Sequence, residues 1–268
     1  MSMISSHIPQ VKRSKLVWLF VDSWVMVKRS LLQIRQDPEQ LLGITIQPIM
    51  FVVLFRFVFG GAIATGNVSY INFLMAGIFV QTAAFGATIS GYSVALDLEK
   101  GIMDRFRSLP MTKSAVLTGH VIADLFRNTL ATAVMIGAGL AVGFRPDANA
   151  IEWVGALGLL LLMTFSLSWI FVFLGLVGKS IQFVQQFSFI FIFPLTFVSS
   201  AFAPTDTMPH WLQVFAENQP LNHAIVAIRG LLIGTPVGNH VWWSVIWSLG
   251  LLIVGFTACT FLFRRQAK

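Results

Sequence analysis

The chain has 268 residues, of which 56% are hydrophobic and 11% charged, with a formal net charge of +7. A soluble domain carries about 25% charged residues, so a soluble enzyme is excluded. The positive charge sits at the ends of long apolar runs and forms no basic face, which excludes a nucleic-acid binder. The one cysteine, Cys259, lies inside an apolar run and can form no internal disulfide.

In chain order, the amino terminus presents Lys12, Arg13 and Lys15 before the apolar run 16–21. This opening resembles a signal peptide, but no small-x-small cleavage site follows and Lys28 and Arg29 come next. Val17, Phe20, Trp24, Val27, Leu31 and Ile34 recur at steps of three and four, which predicts one apolar helical face over 15–36. The run is too short to span. It reads as an amphipathic helix in the inner membrane surface, or as one packed on the protein's own cytoplasmic side.

Six runs then offer the roughly 20 apolar residues that a transmembrane helix needs. They cover about 41–61, 71–94, 115–143, 151–177, 182–203 and 241–263. Pro48, which lacks an N–H, is expected to kink the first. The fold class is therefore an all-α membrane protein with six transmembrane helices, an N-terminal amphipathic interfacial helix and a short cytoplasmic helix in the loop after the second span. Residues 1–40 form the cytoplasmic amino terminus, 41–263 the transmembrane domain and 264–268 a cytoplasmic tail. With the amino terminus inside, 14 of the 18 basic residues fall on inner segments, while only Arg145 and Arg229 fall on outer ones. The positive-inside rule then places both termini in the cytoplasm of a multi-pass protein of the plasma membrane.

The inner loop 97–113 is short and densely charged. Ile102, Phe106 and Leu109 share a helical stripe, Gly101 permits a sharp change of direction, and Pro110 ends the stretch. The pattern is that of an ordinary basic inner loop, and it also fits a docking knob for a cytoplasmic partner. Within the third span, Asp124 and Arg127 are three apart and share a face. A lone charge at that depth costs about 2.5–3.5 kcal/mol on insertion scales. The two form an intramembrane polar pair, read either as a substrate-path contact or as a structural pair. The outer segment 204–240 reads as two short helices that re-enter the membrane or lie on its surface, the second over 221–232, closed by Gly234, Pro236 and Gly238.

No phosphate-binding loop is present. The nearest approach, Gly86 to Ser93, lacks the lysine and lies inside the second span, where small residues suit close helix packing. His7, His120, His210, His223 and His240 lack the spacing of a zinc hydrolase. No catalytic and no metal-ligating residues are assigned.

Glu99-Lys100-Gly101 followed by Arg105-Phe106-Arg107-Ser-Leu-Pro110 resembles the inner-loop motif of ABC-2-type permeases, the membrane subunits of ATP-binding-cassette exporters. Phe193-Pro194 to Phe202, then Pro204, Met208-Pro209-x-Trp211-Leu212, Gln219-Pro220-Leu-Asn-His-Ala and Arg229-Gly230 resemble the same family, most closely its daunorubicin-resistance-type drug exporter permeases. The resemblance implies a permease homodimer or heterodimer in the lipid membrane. It also implies two copies of a separate ABC ATP-binding subunit, which would carry the ATP and magnesium, with no cofactor on this chain. By match, Glu99, Lys100, Gly101, Ile102, Arg105, Phe106, Arg107, Leu109 and Pro110 would couple to that subunit. Phe106 and Ile102 would fill an apolar groove on it, and Glu99, Arg105 and Arg107 would make rim contacts. The implied function is outward transport of an amphipathic drug, antibiotic or lipid-like molecule. Export of a polysaccharide or lipo-oligosaccharide, and a non-transporting scaffold or immunity protein, are the alternatives.

Overall fold

The computed structural model describes residue 28 and residues 38–63, 65, 68–103 and 113–265. The amphipathic pattern over 15–36 and the loop residues Arg105, Phe106, Arg107, Leu109 and Pro110 lie outside them.

Eight α-helices and no strand occur among the described residues. They are α1 (Pro38–Leu54), α2 (Tyr70–Glu99), α3 (Lys113–Val142), α4 (Ala150–Val177), α5 (Ile181–Phe197), α6 (His210–Asn218), α7 (Pro220–Ile233) and α8 (His240–Arg265). A wide π turn, Phe55–Phe59, continues α1 beyond the helix that carries Pro48. By length and composition, four helices can cross a membrane: α2, α3 from Leu117, α4, and α8 to Leu262. The apolar helices over Ile46–Phe59, Ile181–Phe197 and Pro220–Ile233 are shorter. At 1.5 Å per residue, the 17 residues of α5 reach about 26 Å, against a hydrocarbon core of about 30 Å.

Helices α2 and α4 form the centre, with α8 on α4, α3 and α5 on α2, and α1 against α2 and α3. Glycines allow the central contact. A Cβ on Gly91 would collide with the Phe171 carbonyl, and one on Gly175 with the carbonyl of Gly91. The small residues of 86–93 thus serve close packing between spans. At the α4 start, Asn149 Oδ1 accepts the N–H groups of Ile151 and Glu152, and Glu152 Oε2 accepts the Asn149 N–H at 2.7 Å, a reciprocal cap.

Two expectations shift in detail. Helix α5 stops at Phe197, whereas the apolar run continues to 203. The second hairpin helix, α7, packs into the bundle rather than lying open on it. Leu221, Ala224, Ile225, Ala227, Ile228 and Leu232 are all buried in the main core, and Arg229, counted above with the outer charges, is buried with them.

Candidate functional site

Three groups of polar side chains stand out in this apolar bundle. The first lies at the end of α2. Glu99 and Lys100 are exposed, and Gly101 turns the chain with φ +64°, a conformation that favours glycine. Ile102 is half-buried. Met103, which carried no signal in the sequence, is fully buried with Val94, Leu117, Val121, Trp169, Val172, Leu176 and Cys259. The first turn of the loop is therefore seated on α2, α3, α4 and α8. Just above it, Asp97 of α2 faces His120 of α3, with 3.1 Å between Oδ2 and Nε2.

The second group is the inward face of α3. His120, Asp124, Asn128 and Thr132 recur every four residues and are all buried. Ile122, Phe126, Leu130 and Val134 recur at the same interval and are exposed. This inside-out arrangement is what a bilayer demands. Arg127 Nη1 donates to Asp124 Oδ1 at 3.1 Å, and Ser168 Oγ of α4 donates to Asp124 Oδ2 at 2.7 Å. Asn128 Nδ2 donates to the Asp124 carbonyl, while its amide fills the space where a Cβ on Gly86 would stand. Sequence spacing places Asp124 and Arg127 on one face. It gives no sign of Ser168, which packing brings from 44 positions away.

The third is a cleft of about 480 Å³ between α1, α2 and α5. Pro48, Phe51, Phe85 and Ile89 supply apolar walls, and Gln47, Gln81, Thr82, Thr88, Tyr92, Gln185 and Ser188 supply polar ones. No charged residue lines it among the described residues. The hydroxyls of Thr82 and Ser188, each residue 3% exposed, have no hydrogen-bond partner among the described residues. A buried hydroxyl left unpaired is costly, and both of these sit in the cleft wall. Gly86, the contact of Asn128, also lines the cleft. At the far end of the bundle, the Nδ1 atoms of His223 and His240 approach to 2.9 Å, an encounter with no counterpart in the sequence pattern.

The family model for the ABC-2 type transporter matches residues 22–233. The chain belongs to the ABC-2 type transporter family. The permease is similar to the daunorubicin resistance ABC transporter permease protein DrrB1 of Streptomyces coeruleorubidus. The two are 35% identical over 225 residues, covering 84% of this chain and 77% of the relative. It is also similar to the "Probable doxorubicin resistance ABC transporter permease protein DrrC" of Mycobacterium tuberculosis. Here the identity is 27% over 263 residues, covering 93% of this chain and 91% of the relative. The permease is thus a membrane protein of a family whose members work with ATP-binding subunits, and both of these relatives carry drug-resistance names.

Proposed function

We propose that the permease is the membrane half of an ATP-driven exporter that moves an amphipathic, drug-like molecule outward through the cleft between α1, α2 and α5. The cleft carries this reading. Its volume falls within the roughly 300–1,000 Å³ of small-molecule sites. Its phenylalanines suit a flat apolar body, and its neutral amides and hydroxyls suit uncharged polar substituents. A polymer would need a longer path than this pocket offers. The drug names of the relatives point the same way.

Hydrolysis belongs to a separate subunit, two copies of which would bind ATP and magnesium beneath a permease dimer. The start of the loop, anchored by the buried Met103 and exposing Glu99 and Lys100, supports the assignment of 97–113 as its docking element. Motion there would pass directly into α2, one wall of the cleft. The distribution of lysine and arginine supports a plasma-membrane protein with both termini and this loop in the cytoplasm.

The test is reconstitution of the permease with its ATP-binding subunit, with daunorubicin as the probe. ATP-dependent efflux and drug-stimulated hydrolysis are expected. Gln47→Leu with Gln185→Leu, whose amides are exposed in the cleft lining, should raise the KM for efflux about fivefold for each hydrogen bond lost, each worth about 1 kcal/mol, and leave assembly intact. Phe106→Asp should abolish assembly. Absence of efflux and of stimulation by the complete complex overturns the reading.

A further inference from the structure

Between the end of α5 and the 3-10 turn Thr205–Thr207, the chain leaves helical geometry inside the packed bundle. Backbone groups there must find partners other than their own helix. Side chains on and just before α7 supply them. Gln219 Nε2 donates to the carbonyls of Leu195 at 2.6 Å and Val198 at 2.8 Å. Asn222 Oδ1 accepts the Ser200 N–H at 2.9 Å. Arg229 donates from Nε to the Phe73 carbonyl at 3.0 Å, from Nη1 to Ser200 Oγ at 3.2 Å and from Nη2 to the Ser200 carbonyl. Its guanidinium lies 3.7 Å from the centre of the Phe73 ring. No carboxylate pairs with it among the described residues. These three side chains are 4%, 2% and 6% exposed, so the bonds they make to the broken segment, and that of Arg229 Nε to α2, face little competition from solvent.

The held segment carries half of an aromatic cluster. The ring of Phe197 lies 4.7 Å from that of Phe202, which lies 4.5 Å from Phe55 of the π turn. Phe51 is 6.2 Å from Phe197 and 6.3 Å from Phe202, and it also lines the cleft. The cleft faces residues 81–92 of α2, whereas the held segment meets the earlier part of that helix. Tyr70 donates to the Phe202 carbonyl at 3.0 Å, and Gly77 lies against the Ala201 backbone. The aromatic cluster therefore stands between the cleft and the hairpin end of the bundle.

We propose that the segment 195–202 is the barrier on the hairpin side of the cleft, and that Gln219, Asn222 and Arg229 are the positioning residues that keep Phe197 and Phe202 across the path. The proposal rests on the cleft being the substrate site. Each clamp bond joins a side chain to a neighbouring segment, so the barrier can release without breaking a helical hydrogen bond of α7.

The experiment reports from inside the cleft. In a Cys259→Ala background, Thr88→Cys, half-buried in the cleft wall, is labelled with a membrane-impermeant maleimide in sealed vesicles of each orientation, with the ATP-binding subunit bound and no nucleotide. From the hairpin side, labelling should be slow, and Asn222→Ala should accelerate it tenfold or more. From the opposite side the rate should not change. Equal acceleration from both sides signals general loosening and overturns the assignment, as does fast labelling before any clamp residue is altered. Unchanged labelling in Asn222→Ala overturns it as well. If Asn222→Ala fails to fold, Gln219→Met, which keeps the volume and removes both donated bonds, takes its place under the same criteria. Failure of the parent complex to export daunorubicin would count against the substrate reading, whereas an unguarded hairpin side in a complex that exports would count against the barrier alone.

Discussion

Asp124 takes one donor from its own helix and one from α4, at 1% exposure. Removal of half of a buried ion pair leaves the other charge without compensation, at a cost of about 3–5 kcal/mol. Asp124→Leu should therefore lower the unfolding midpoint of the purified permease in detergent sharply. The double replacement Asp124→Leu with Arg127→Leu should recover most of that loss, because two apolar side chains can substitute for a buried pair. Ser168→Ala should cost about 1.5–3 kcal/mol, the value of a hydrogen bond to a charged group. A double variant no more stable than the single one would show that the pair does more than satisfy itself. The sequence shows the shared face because three residues is nearly one helical turn. Ser168 stays hidden in an apolar run, where a serine breaks no periodicity.

Among the elements, α3 states the membrane's demand most clearly, with polar residues inward and Ile122, Phe126, Leu130 and Val134 outward. A charge on the outward face has no partner there. Phe126→Glu should lose about 2.5–3.5 kcal/mol of insertion free energy, seen as a smaller membrane-integrated fraction, whereas Phe126→Leu should integrate as the parent does. The long helices α2, α3, α4 and α8 were legible because each is a long apolar run bounded by polar residues. The end of α5 was not. Val198 to Phe202 is as apolar as the helix before it, and the break is stabilised by Gln219, Asn222 and Arg229, which lie on or beside another helix. The depth of α7 was illegible for a related reason. An arginine reads as a surface charge unless the carbonyls and the phenyl ring that receive it are known. The loop 97–113 is mixed. Its glycine turn could be read, but the anchor, Met103, could not, since a single methionine in a charged segment has no pattern to belong to.

For the whole molecule, the asymmetry of basic residues makes one orientation testable. In the Cys259→Ala background, Lys268→Cys should react with an impermeant maleimide only when the cytoplasmic face is open to the reagent, and Trp211→Cys, exposed on α6, only from the other face. Reaction of both from the same face would invert the arrangement proposed for the loop and the hairpin. The contact of Gly91 with Gly175 and Phe171 has a mechanical consequence. Where main chain bears on main chain, no side chain can change rotamer to let one helix slip along the other. Helices α2 and α4 must tilt together as a single spar, about 45 Å long over the 30 residues of α2. Under the docking role proposed for the loop, a push applied beside Gly101 would travel along this spar toward Tyr70, and any widening of the proposed cleft would fall to the more lightly braced α1 and α5.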